Sequence, residues 1–167
     1  MNNNHKIGLI LCLLPILGVA LPSDAKKPYN VSSHTVRYDR KTHTTVYTGD
    51  VIATQGSTRL TGNKVILITD PKTHNIKELI AYGTLAHYTT LPGNNKKRLH
   101  AQAETIKYWP SQYKTELLIK ARVTQAKNVF TGEQIWYDIK NESVYTDHHT
   151  KNARTKIIIQ PQDVHPS

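Results

Sequence analysis

Nine histidines and twelve carboxylates are the side chains of this 167-residue chain best able to move protons or bind metals, so their spacing is the first question. No His-Glu-x-x-His or similar ligand spacing occurs among them, the adjacent pair His148-His149 included. The histidines are therefore expected on the surface and in loops. The carboxylates are sparse, and no motif pairs them for general acid and base work. Serine nucleophile motifs and glycine-rich phosphate loops are missing, since Gly83 and Gly93 stand alone. The chain is thus expected not to be an enzyme and to use no metal or cofactor.

Tyrosine is the side chain that stands out. It occurs nine times, against one Phe, two Trp and a single Met at the start. Its ring is apolar and its hydroxyl needs a partner when buried, so it suits a wall with a dry body and a wet rim better than a dense core. The net charge of +10 favours an anionic partner, whether nucleic acid, a phosphorylated glycolipid or a membrane surface.

The elements that must position these residues begin with a leader. Asn2 to Lys6 is polar with one cation, and Ile7 to Leu21 is an apolar run broken by Pro15, which is a secretory signal pattern. As a helix the run would span about 22 Å, short of the roughly 30 Å of a bilayer core, so a retained anchor is the weaker reading. Ser23-Asp24-Ala25 and Gly18-Val19-Ala20 are candidate cleavage sites, and residues 1–25 are assigned as the signal with 26–167 as the mature domain. The only cysteine, Cys12, falls in the discarded segment. The mature domain must then fold in an oxidising compartment without a disulfide. Such export argues against nucleic acid as the partner.

From Tyr29 to Gln160 short runs rich in Val, Ile, Thr and Tyr alternate apolar with polar residues, separated by Gly, Asn, Asp and Pro. That pattern predicts an all-β domain. Residues 70 apart correspond: Thr35 with Thr105, Tyr38 with Tyr108, Thr54-Gln55 with Thr124-Gln125, Thr61-Gly62 with Thr131-Gly132. Within each half a small residue precedes two large apolar ones, as in Ser33, Val36, Tyr38 and in Gly132, Ile135, Tyr137. These are repeated strand-turn-strand modules, each too small to cover its apolar face alone. Period-two alternation puts Val36 with Tyr38, and Tyr47 with Val51 and Ala53, on one apolar face. Arg37, Lys64, Lys107 and Gln134 fall on the other, expected to be charged and solvated. On pattern alone the apolar face fits either a filled sandwich core or an open trough.

Tyr47-Thr-Gly-Asp-Val-Ile-Ala-Thr-Gln-Gly56 is the most distinctive stretch, followed by Gly62-Asn-Lys-Val-Ile-Leu67. Pro28 to Ser33, Ile80 to Gly83 and Ala103 to Tyr108 fall in consistent order around it. These segments resemble the OstA-like, or LptA, family of periplasmic lipopolysaccharide transport proteins, over about Pro28 to Pro161. Asp50 departs from the family's usual Asn, and Lys120-Ala-Arg122 stands where the second half would often repeat Thr-Gly-Asn.

The resemblance implies an elongated, twisted, open jelly roll of antiparallel strands. It also implies periplasmic localisation and a groove that shields lipopolysaccharide acyl chains between inner and outer membranes. By position it places lipid contacts on Tyr29, Tyr88, Tyr108 and Pro110. Combined with the alternation, the expected lining adds Val31, Val36, Tyr38, Tyr47, Val51, Leu60, Val65, Ile106, Phe130, Ile135 and Tyr137. The first run, Tyr29 to Ser33, and the last, Lys156 to Gln160, are expected docking edges, with Tyr29 and Val31 at one and Ile157 and Ile159 at the other. An LptC-like inner-membrane partner is implied at the N-terminal edge, an LptD-like outer-membrane partner at the C-terminal edge, and head-to-tail self-association between copies. Lys96-Lys97-Arg98 is read as a solvated loop, with contact to lipid phosphates as the alternative. The rival reading of the whole chain is an LptC-like scaffold that keeps its apolar segment and binds other transport proteins.

Overall fold

The computed structural model describes Asp24 and residues 27–91, 97–138, 143–147 and 154–159. The apolar leader, Cys12, Lys96, His148-His149 and the tail from Pro161 lie outside the described residues. Among those described, no helix is long and apolar enough to cross a membrane.

Among the described residues ten strands form one antiparallel sheet: β1 (Asn30–Ser32), β2 (Thr35–Asp39), β3 (Thr44–Gln55), β4 (Thr58–Thr69), β5 (Ile76–Thr90), β6 (Leu99–Trp109), β7 (Lys114–Gln125), β8 (Asn128–Asp138), β9 (Ser143–Asp147) and β10 (Lys156–Ile158). The six long strands pair in chain order from β3 to β8. At one edge β1 and β2 each pair with half of β3, and at the other β10 and β9 each pair with half of β8. The last strand is shorter than expected, ending at Ile158 rather than Gln160.

The 70-residue repeat is physical. β3 and β7 share both boundaries after a shift of 70, and β4 and β8 start 70 apart. Adding 70 to β1 and β2 places them on the two halves of β6, so the N-terminal edge is a split version of an inner strand. The recurring triplets fall into register rows. Val36, Tyr47, Val65, Ala81, Ile106, Leu117 and Ile135 form one row; Tyr38, Leu67, Leu79, Tyr108 and Tyr137 lie in the next.

A lone sheet with one apolar face has no second layer to dry it. Yet Val51, Ala81, Ala86, Leu99, Ala103 and Leu117 are fully buried. The sheet closes on itself along a line of register shifts that crosses every long strand, after Thr48, Thr61, Tyr82, Gln102 and Leu118. Bulges bend strands and raise local twist. The bend divides the sheet into two arms. The upper arm holds β1, β10 and the strand halves that meet at the turns near 56–57, 91–98 and 126–127; the lower arm holds β2, β9 and the remaining halves. Small residues line the bend inside: Gly62 opposite Val51, Ala86 opposite Ala103, Ala121 opposite Gly132.

The two repeats bend with different chemistry. Gly49 and Asp50 take φ of 84° and 43°, and the equivalent Ile119 and Lys120 take 64° and 55°. Gly49 is required where it stands, because a Cβ there would lie 2.5 Å from Nδ1 of His34, which crosses the bend between β1 and β2. Ile119 has room, being 48% exposed, but a β-branched residue at positive φ is strained. Ile119→Gly is accordingly expected to raise unfolding free energy by about 0.5–1 kcal/mol, and Gly49→Val to lower it by about 2 kcal/mol or more, both measured by urea denaturation.

Candidate functional site

The inner surface of the folded sheet is graded. Nearest the bend lie small residues and Val51; the next row of the upper arm is Val31, Ala53, Leu60, Tyr88, Ala101, Val123, Phe130 and Ile157. The row at the upper rim is mostly polar: Gln55, Thr58, Thr90, Gln125 and Asn128, with Leu99 among them. Thr58 and Thr90 hydroxyls lie 2.9 Å apart. A groove with a dry floor and a hydrogen-bonding lip suits an amphiphile rather than a wholly apolar ligand.

The expected lining separates into three groups. Val51, Leu60, Val65, Ile106, Phe130, Ile135 and Tyr137 are exposed by 5% or less and form the packed floor. Tyr47 and Tyr88 are half-buried against that core, and Tyr108 and Pro110 are half-buried as well. Tyr29, Val31, Val36 and Tyr38 are exposed by 41–65% at the N-terminal edge, and Ile157 and Ile159 by 51% and 61% at the C-terminal edge. The filled-core alternative thus describes the middle of the sheet, while the apolar rows emerge at both ends.

The tyrosines connect the arms. Tyr88 on the upper arm and Leu79, the neighbour of Tyr108, are nine positions apart on β5, which would be about 30 Å on a straight strand. Nevertheless the Tyr108 phenol feels those of Tyr88, Tyr29 and Tyr113, so the bend brings the arms face to face. Burial pushes the Tyr108 phenol up to about 12, with those neighbours adding to the effect. Burial also raises Tyr88, against the lowering effect of hydrogen bonds with Thr90 and Thr58.

The outer face departs from the solvated surface expected. Val46, Ile66 and Ile80 form an apolar row there, continuing through Lys107, Glu116, Trp136 and Tyr145. Gln134 is only 6% exposed, because its Nε2 donates to Oε1 of buried Glu116, whose Oε2 lies 2.8 Å from Lys107 Nζ. Both tryptophans sit outside the groove, Trp109 stacked 5.9 Å from Trp136 and Trp136 6.3 Å from Tyr145. Alternation alone does not reveal this, since a long aliphatic stem and a tryptophan on a polar face read the same as an exposed one.

Charge is segregated between the arms. Among the described residues, the upper arm carries Lys27, Arg59, Lys97, Arg98, Arg122, Lys127, Arg154 and Lys156, all exposed, and only Asp24 as an acid. Asp24 is engaged by the Ser57 N–H and hydroxyl, and these hydrogen bonds hold its carboxyl below the usual range. Among the described residues of the lower arm and bend, the cations Arg37, Arg40, Lys41, Lys64, Lys72, Lys77, Lys107, Lys114 and Lys120 are equalled in number by carboxylates. These carboxylates are Asp39, Asp50, Asp70, Glu78, Glu104, Glu116, Glu133, Asp138 and Asp147. Of the histidines, His43 and His74 take left-handed turn conformations and His34 spans the bend. No group of three or more His, Cys, Asp or Glu able to hold a metal occurs among the described residues.

One antiparallel sheet folded over an amphipathic interior, open along its edges, is the architecture of an open β-jelly roll. Residues 30–143 match the family model described as LptA/(LptD N-terminal domain) LPS transport protein. The lipopolysaccharide export system protein LptH of Pseudomonas aeruginosa is 36% identical over 161 residues, covering 93% of this chain and 91% of that protein. LptA of Haemophilus influenzae is 26% identical over 144 residues, covering 86% and 83%. The crystal structure of P. aeruginosa LptH, described as the LptA-homologous periplasmic component of the lipopolysaccharide transport device, superposes with a TM-score of 0.74 at 35% identity. It covers 84% of this chain and 100% of that one. This chain belongs to the LptA/LptD N-terminal domain family.

Because the folded Tyr108 phenol binds its proton more tightly than an unfolded one, the stability it contributes is full below about pH 10 and is lost as pH rises toward 12. Ultraviolet titration should show late phenol ionisation whose amplitude near pH 12 falls by one phenol in Tyr108→Phe, Tyr88 remaining as a second late phenol, with that variant losing less stability over the same interval. A late amplitude unchanged in Tyr108→Phe would assign the ionisation near pH 12 elsewhere.

Proposed function

We propose that this chain is a periplasmic lipopolysaccharide-transport protein that is not an enzyme and that shields acyl chains in the groove between its two arms. The observation that carries the reading is the continuous inner row from Val31 through Leu60, Tyr88, Val123 and Phe130 to Ile157, apolar across the sheet and exposed at both edges. Each CH₂ exposed to water costs about 0.8 kcal/mol, so several chains of about a dozen carbons cannot cross an aqueous space unprotected. A row open at both ends allows lipid to enter at one edge and leave at the other.

The edges favour partners. β1 and β10 are three-residue exposed strands with backbone groups available for a further strand. An added strand would extend the row that Val31 and Ile157 begin and end. An LptC-like protein is assigned to the β1/β2 edge, an LptD-like protein to the β9/β10 edge, and a second copy of this chain can join edge to edge. The test replaces Tyr29, Tyr88 and Tyr108 singly with a photo-crosslinking residue, with Lys64 on the outer face as control. Lipopolysaccharide adducts at the tyrosines but not at Lys64 are expected. Adducts at none of them in a folded, exported protein would transfer the function to the scaffold alternative.

Asp24 bears on processing. Its carboxylate caps the β3–β4 turn through Ser57, and its carbonyl accepts the Lys27 N–H at 2.9 Å. Cleavage after Ala25 would discard it, whereas cleavage after Ala20 would keep it, and the upstream site is the one this contact supports. Intact mass of the exported protein should place its first residue at Leu21; a first residue of Lys26 would exclude any role for Asp24 in the mature domain.

A further inference from the structure

The groove has two lips, and they differ in charge. On the upper lip the turn segments carry Lys97, Arg98 and Lys127, just beyond the polar row of Thr90, Gln125 and Asn128. These cations stand on fixed backbone. Gln125 donates from Nε2 to the Lys97 carbonyl at 3.0 Å, and Arg98 Nη1 donates to the Ser57 carbonyl at 3.2 Å. The arrangement is repeated 70 residues earlier, where Gln55 Nε2 donates to the Lys27 carbonyl at 3.2 Å. On the lower lip the turn cations Arg40, Lys41 and Lys72 share their turns with Asp39 and Asp70, whose carboxylates accept the backbone N–H groups of Lys41 and Lys72 at 2.8 and 2.9 Å. Among the described residues, the upper lip therefore presents Lys97, Arg98 and Lys127 with no carboxylate in their turns, whereas the lower lip sets a carboxylate beside its cations in each of these two turns.

We propose that the phosphorylated headgroup of the lipid lies on the upper lip, its phosphates held by Lys97, Arg98 and Lys127, so that the molecule sits across the groove in one orientation. The inference rests on the groove reading above and adds a direction to it. Phosphate is attracted to cations grouped without carboxylates beside them, and a lip whose turns carry carboxylates offers a weaker field. The equivalent Lys27, beside Asp24, is the weaker station of the two. As a lipid moves along the groove its phosphates would pass from the first repeat's lysine to the second's. The two repeats are four strand spacings apart, about 19 Å.

The test compares the mature wild-type protein with two double variants of equal charge change: Lys97→Glu with Lys127→Glu on the upper lip, and Lys41→Glu with Lys72→Glu on the lower. All four positions are exposed, and thermal melting confirms folding. Affinity is measured for purified lipopolysaccharide and for the same lipid stripped of its phosphates. The upper-lip variant is expected to bind phosphorylated lipid about tenfold or more weakly while the lower-lip variant stays within about twofold, and the two should not differ on stripped lipid. Equal weakening by both variants, or an upper-lip loss that persists on stripped lipid, would overturn the orientation. A loss of the same size on phosphatidylglycerol vesicles without lipopolysaccharide would assign the cations to a membrane surface instead. Wild-type protein that binds neither lipid form would sink the groove reading itself, which these other outcomes leave standing.

Discussion

Everything in this structure depends on one sheet having to dry its own apolar face. No helix or second sheet is available among the described residues to cover Leu117, Ile106 or Val65, so the sheet must turn back on itself, and a turn in a pleated sheet requires bulges in register on every strand. The bend line, the small residues along its inside and the positive-φ pairs in β3 and β7 are consequences of that need. Closing by folding leaves the edges open, because β1/β2 and β9/β10 have no neighbours beyond them. The same constraint that makes a core therefore makes a groove with two ends.

Polarity is arranged around the bend in layers. Packed aliphatic and small side chains lie deepest, Tyr88 and Tyr108 follow with phenols raised in pKa by burial, and threonines, glutamines and asparagine complete the upper rim. Among the described residues the excess of positive charge lies beyond the rim and on the upper arm. Each layer corresponds to a part of an amphiphile: hydrocarbon, ester or amide, then ionised headgroup. The Lys107–Glu116 pair, with its carboxylate buried, and the Trp109–Trp136–Tyr145 stack lie on the reverse of this wall. They support the lower arm from outside, since a half-buried row of Val46, Ile66 and Ile80 alone would be poorly covered there.

Alternation in the sequence reveals the strands and the inner rows almost completely, because period two survives as long as a strand does. Val36 with Tyr38 and Ile106 with Tyr108 fall where the pattern puts them, and the 70-residue correspondence reproduces both strand boundaries of β3 in β7. Family likeness then supplies what period cannot, the closing of one sheet into a roll. Three features escape sequence reading. Ile119 gives no sign of a left-handed conformation, since its partner in the repeat is a glycine and nothing local demands φ above zero of an isoleucine. Glu116 and Gln134 read as surface residues, and only the cross-strand pairing that joins them to Lys107 shows them to be buried. The separation of charge is also invisible in a net +10, because cations adjacent in space come from turns 30 residues apart.

The strand order has a further meaning for how such a chain acquires its structure. From β3 to β8 every neighbour in space is the next strand in sequence, so each pairing closes only a hairpin loop and none waits for a distant segment to arrive. Nucleation can begin at any of these hairpins and spread outward one strand at a time, as in a linear array. The split outermost strands order last and open first, which makes the two edges the least protected backbone of the sheet. A chain with this strand order can thereby assemble its interior before its ends are committed.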